Sequence, residues 1–141
     1  AAATAGDSVM APINQFMDGF ARGDMKLAGA AQTAGVTIID EFSPHTWSAP
    51  GAFAAWGADL GKHEKSAGIT DDKIVLGVPI RREITGDHAY VVAPAVYTFK
   101  QKGVAMHESA ARMTFALLRG PAGWKIAAWT WTAPRATPVG K

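Results

Sequence analysis

Asp40 is the residue of this chain best placed to do chemistry. It follows Val36 and Ile38 on one side of an extended segment, so its carboxylate points where two branched apolar side chains point. Desolvation in such surroundings raises a carboxylate towards general-base range. The plainer reading is a turn carboxylate at a strand end. His107 and Ser109 alternate along a later segment and supply a second acid–base group and a hydroxyl donor; the plainer reading there is a satisfied strand histidine. Ser109 lies mid-strand and not on a nucleophile elbow, which argues against a catalytic triad. His45, His63, His88 and His107 show no metal-ligand spacing, and His63-Glu64 reads as part of a solvated helix face. The absence of cysteine removes thiolate metal sites, cysteine nucleophiles and disulfides together. The 15 glycines are scattered at caps and turns and form no phosphate-cradling loop. No metal and no cofactor is therefore expected.

These groups need elements to hold them. Asp7 and Ser8 offer a helix N-cap. Val9, Ile13, Phe16, Met17 and Phe20 then form one stripe at helical spacing. Gly23 ends that helix, and Asp24 caps a short second one over Met25 to Ala31. Val36 to Phe42 reads as a strand, with Thr46-Trp47 as a short further one. A third helix opens around Pro50, with Phe53, Trp56 and Leu60 as its buried stripe, and stops by Gly68. After Lys73 the period changes to two. Ile74 to Ile80 is one strand, His88 to Lys100 a second, Val104 to Arg119 a third and Trp124 to Thr132 a fourth, joined by turns at Gly86-Asp87, Lys102-Gly103 and Gly120 to Gly123. The expectation is an α+β fold: a curved antiparallel sheet of at most six strands, a cone-like half barrel, with three N-terminal helices packed on its concave face. Residues 1–134 form a single domain and residues 135–141 a flexible tail.

Composition fits that picture. A chain of 141 residues with 48% apolar residues buries a core without staples. The net charge is +2, and the basic residues form no stripe, which argues against a nucleic-acid partner. No apolar run is long enough to span a membrane. The Ala-rich start, Ala1 to Gly6, is compatible with the remnant of a cleaved signal peptide, which leans towards a periplasmic or exported protein, against the reading of a trimmed end.

Two stretches carry a family resemblance. Phe16-Met17-Asp18-Gly19-Phe20-Ala21-Arg22-Gly23-Asp24 resembles the exit of the first helix in the nuclear-transport-factor-2-like superfamily. Arg112 to Arg119 followed by Gly123-Trp124-Lys125-Ile126-Ala127 is similar to its last hairpin. The superfamily includes ketosteroid isomerase, scytalone dehydratase and the SnoaL-like cyclases. The resemblance implies a cone-shaped domain with a pocket, commonly dimeric, and no particular reaction. In ketosteroid isomerase an aspartate at the end of the corresponding strand is the base, and Thr37-Ile38-Ile39-Asp40 resembles its setting. The isomerase's helix-one tyrosine corresponds here to Phe16, and its second, protonated aspartate falls near Met113, so that oxyanion hole is absent.

Hairpin arithmetic assigns the sheet faces. One face carries Tyr90, Val92, Val96, Ser109, Met113, Phe115, Leu117 and Ile126 and should meet the helices. The other carries Tyr97, Phe99, Glu108, Arg112, Trp129 and Trp131. The expected pocket is lined by Phe16, Trp47, Trp56, Tyr90, Ser109, Met113 and Thr130, with Asp40 and His107 as catalytic candidates. Tyr97, Arg112, Trp129 and Trp131 then form an outward aromatic patch, the expected face of a homodimer. The alternative is a bulge near Ala127-Ala128 that turns both tryptophans inward. The function expected is binding of a small apolar or aromatic molecule by a homodimer; the alternative is a lyase, isomerase or cyclase using Asp40 as general base.

Overall fold

The computed structural model describes residues 5–140, with side chains described from Val9 onwards. The Ala-rich start falls outside the described residues up to Thr4. The elements are α1 (Ala5–Arg22), α2 (Met25–Ala30), β1 (Gln32–Ile39), β2 (Thr46–Trp47), α3 (Ala52–Ala67), β3 (Ile69–Leu76), β4 (Arg81–Thr85), β5 (His88–Gln101), β6 (Val104–Gly120), β7 (Gly123–Thr132) and β8 (Thr137–Pro138). The sheet runs β2-β1-β7-β6-β5-β3, with β4 also on β5 and β8 also on β6. It is antiparallel except for β1, which lies parallel to β7. No hairpin joins β1 to β7, so no turn fixes their relative direction.

Apolar periodicity explains the packing. Val9, Ile13 and Phe16 of α1 are buried against a sheet face that contributes Phe115, Leu117 and Ile126. Each such side chain contributes about 1.5–3 kcal/mol relative to exposure. The Asp24 side chain caps α2, accepting from the Leu27 backbone N–H at 3.0 Å. Gly19 lets the two helices meet closely: a Cβ there would lie 2.7 Å from the Ala28 nitrogen. Lys102 and Gly103 both adopt positive φ, the conformation of a tight two-residue hairpin turn, and Gln101 pairs with Val104.

Several boundaries differ from the expectation. Helix α1 begins at Ala5, so the positions of Asp7 and Ser8 lie within the helix, and Pro12 lies beyond its first turn. Strand β1 begins at Gln32 and runs through Gly35. The expected strand over residues 74–80 stops at Leu76, the end of β3, and a separate strand, β4, starts at Arg81; both pair with β5, and the eight strands exceed the six expected. The tail is not free along its length. Beyond the end of β7, β6 continues with an open edge, and Thr137 and Pro138 pair there with His107 and Met106.

Two bulges decide the faces. Leu117 pairs with Ile126, but Ala116 pairs with Ala128, so β7 carries one extra residue around Ala127. Ala95 pairs with Ala111 while Tyr97 pairs with Glu108, so β6 carries one extra residue around Ser109-Ala110. Each bulge turns the rest of its strand over. Trp129 and Trp131 therefore stand beside Phe115 and Met113, and Glu108 turns inward with Tyr97. The expected outward aromatic patch does not form.

Candidate functional site

A cavity of about 180 Å³ lies between α1, α3 and the inner sheet face. Helix α1 supplies Phe16, Met17 and Phe20, and α3 supplies Trp56, Leu60 and His63. Asp40, Glu41 and Phe42 enter from the end of β1, Tyr97 and Phe99 from β5, Glu108 and Met113 from β6, and Trp129 and Trp131 from β7. Ala136 of the tail lies at its edge. A dry cavity of about 150 Å³ takes benzene, so this one has room for about one ring with a few substituents.

Its walls are aromatic. Trp129 lies 5.0 Å from Phe16 and 5.1 Å from Trp56, centre to centre. Tyr97 stacks on Phe99 at 4.8 Å and meets Trp131 edge-on at 5.9 Å. The indoles also place the polar groups. Trp56 Nε1 donates to Asp40 Oδ2 at 2.9 Å, Trp131 Nε1 to Glu108 Oε2 at 3.0 Å, and Trp129 Nε1 to Gln32 Oε1 at 3.0 Å. A buried indole N–H needs an acceptor, and these side chains provide it.

Asp40 sits where β1 leaves the sheet. Its backbone closes the following loop, with the Asp40 N–H donating to the His45 carbonyl at 3.0 Å, while the Glu41 N–H donates to Oδ1 at 2.7 Å. Burial raises its carboxyl above the ordinary range, against the opposing hydrogen bonds from Trp56 and Glu41, and the negative charge of Glu108 adds to the rise. Glu41 is open to solvent as a residue, yet its carboxyl lies in hydrogen-bonding reach of Glu108 and Trp131. Desolvation, then the hydrogen bond and charge of Glu108, push it up to about 9. At neutral pH the Glu41 carboxyl therefore keeps its proton. Glu108 is only 5% exposed. Burial, and then the charges of Asp72 and Glu64, also push the Tyr97 hydroxyl up, so it stays protonated. His63 stacks on Phe42 at 5.2 Å and lines the cavity.

The structure brings together Phe16, Asp40, Trp56 and Met113 of the expected pocket. It adds Tyr97, Trp129 and Trp131, which were assigned to a dimer face; of that set only Arg112 is exposed. Tyr90 and Ser109 are exposed, because the β6 bulge shifts β5 against β6 by one residue and puts Val91 opposite Phe115. Thr130 alternates with the two inward tryptophans and faces away. His107 is half-buried beside Thr137, outside the cavity lining. Trp47 is buried, donates to Asp59 at 2.8 Å and packs on Phe42, a core role. Glu41, His63 and Glu108 were not singled out. The available signal was Glu108 sharing a face with Tyr97 and Trp131, a carboxylate among aromatics. Among the described residues no group of three or more His, Asp or Glu side chains is arranged to hold a metal ion, and no helix is long and apolar enough to cross a membrane.

No family model matches the chain, and no curated protein matches it in sequence. Solved structures do match. A hexachlorocyclohexane dehydrochlorinase of the LinA type from Novosphingobium barchaimii superposes with TM-score 0.78 at 12% identity, covering 94% of this chain and 88% of that one. A nuclear transport factor 2-like superfamily protein from Salmonella enterica gives 0.74 at 15% identity, covering 97% and 96%. A ketosteroid isomerase-like protein from Erwinia carotovora gives 0.64 at 17%, covering 91% and 95%. With the eight-stranded sheet and three helices described above, the chain has the nuclear transport factor 2-like fold.

Proposed function

We propose that the protein binds a small molecule of about one ring in this cavity and moves a proton on it, with Asp40 as the acceptor. One observation carries the reading: a carboxylate with a raised pKa faces an aromatic cavity and is fixed there by the Trp56 indole. Its raised pKa makes Asp40 a stronger base than a surface carboxylate, and the hydrogen bond from Trp56 orients the carboxylate. The proton passes from a ligand carbon to Asp40. It returns at another carbon in an isomerisation, or a leaving group departs with the electron pair in an elimination. The Glu41–Glu108 pair meets the polar end of the ligand. The cavity volume argues for a single ring and against a four-ring substrate. Neighbours of the same fold include a dehydrochlorinase and an isomerase-like protein, which supports lyase or isomerase chemistry on this scaffold.

The test is a screen of single-ring compounds bearing an acidic C–H, followed by NMR in D₂O for exchange or elimination. Asp40→Asn should keep the fold by circular dichroism and lower turnover by at least about 100-fold. Turnover that persists in Asp40→Asn overturns the role of Asp40. Ligands that bind with neither exchange nor elimination leave a binding protein.

A further inference from the structure

The cavity carries more negative charge than its own side chains balance. Asp40, Glu41 and Glu108 all line it, and among the described residues neither lysine nor arginine does. The ion pairs Arg22–Asp18, Arg81–Glu83, Lys100–Asp71 and Arg119–Asp87 lie on the surface, with every partner roughly half exposed or more. Glu108 is almost wholly buried, and its Oε2 has the neutral Trp131 indole as donor. His63 lines the cavity from α3, and Tyr97 from β5. Glu64 and Asp72 add further negative charge near Tyr97. Burying carboxylates together is costly unless a positive charge joins them.

A second feature of the same space points the same way, independently of the carboxylates. The faces and edges of Trp56, Trp129, Trp131, Tyr97 and Phe99 surround it. Aromatic faces attract cations, most strongly where water is excluded, and an organic ammonium gives up its water more easily than a metal ion. A neutral ligand would strip water from the carboxylates and sharpen their repulsion.

We propose that the ligand of this cavity is an organic cation, a ring-sized amine or quaternary ammonium compound, whose positive charge sits between the Glu41–Glu108 pair and the tryptophan and tyrosine rings. The proposal rests on the reading above that the cavity holds a ring-sized molecule. Entry of a fixed positive charge releases the proton held on the Glu41 carboxyl to solvent, leaving a carboxylate beside the cation. One positive charge enters and one proton leaves.

The experiment titrates the full chain with phenyltrimethylammonium and with tert-butylbenzene, which has the same shape and no charge. Tryptophan fluorescence reads both, and calorimetry in two buffers of different ionisation enthalpy counts protons. The cation should bind at least about tenfold tighter than the hydrocarbon. Its affinity should rise with pH, approaching about tenfold per unit between pH 6 and 8, as release of one proton requires. Glu41→Gln, which puts an amide in place of the carboxyl, should bind the cation more weakly than the wild type at pH 8 and lose both the proton release and the pH dependence. Equal or tighter binding of tert-butylbenzene overturns the cation and leaves the ring-sized pocket standing. Binding of neither compound overturns both.

Discussion

Replacing Trp131 by Phe removes one hydrogen-bond donor from a carboxylate that has almost no access to water. Glu108 is 5% exposed and Trp131 7%, and the bond between them is 3.0 Å. A hydrogen bond to a charged group contributes about 1.5–3 kcal/mol, and the orphaned acceptor keeps its desolvation cost. Loss of part of the ring also opens a small void beside Tyr97, so the total loss should be about 3 kcal/mol. In a domain of this size that is about 10 °C in Tm. A double-mutant cycle with Glu108→Met separates the bond from the void. Glu108→Met alone ends the repulsion with Asp40 but leaves the buried Trp131 N–H without its acceptor, so the two effects oppose each other and its net cost should be small. All four proteins carry Glu41→Ala, since Glu41 is the other acceptor in reach of the same indole. Urea unfolding at pH 8 then gives the coupling energy, expected at about 1.5–3 kcal/mol. If Trp131→Phe costs the same in both backgrounds, within about 0.5 kcal/mol, the bond does not hold Glu108 and the electrostatic picture of the cavity falls.

Glu41 makes stability depend on pH with a definite sign. Its pKa rises from 4.5 to about 9 on folding, so the stabilisation is fully present below 4.5 and is lost as pH climbs through about 9. Thermal melts from pH 5 to 9.5 should show Tm falling towards the alkaline end for the wild type and a flatter profile for Glu41→Gln; equally steep profiles refute the assignment. Gly19→Ala should destabilise by about 1–3 kcal/mol, because its Cβ would meet backbone atoms of Ala28 and Asp24 at 2.7 and 2.9 Å. Gly35→Ala, with nothing within 4 Å, is the control and should stay within about 0.5 kcal/mol in urea unfolding.

The element order and fold family were readable because they rest on local signals. A capping aspartate at Asp24, a stripe from Val9 to Phe20 and the turn at Lys102-Gly103 each act over a few residues, and the structure follows them. Part of the grouping of the sheet residues was readable too: Tyr97, Phe99, Glu108, Trp129 and Trp131 do share a face, while Arg112, counted with them, is exposed on the other. Which way that face points was not, because it depends on two single extra residues around Ala127 and around Ser109-Ala110. Both lie in runs of small side chains, Ala127-Ala128 and Ser109-Ala110-Ala111, where a bulge crowds nothing and leaves no mark in the hydrophobic pattern. Period-two counting carries any such slip to the end of the strand, so the same two residues moved Tyr90 and Ser109 out and the tryptophans in. The inward turn also meets a requirement that pattern counting leaves out. The inward indoles of Trp129 and Trp131 need acceptors inside the protein, and Gln32 and Glu108 stand at bonding distance. An outward pair would have left Gln32 and Glu108 either exposed or buried without a donor. The bulges and the buried carboxylate are thus one arrangement, and the charge of the cavity follows from the register of the sheet.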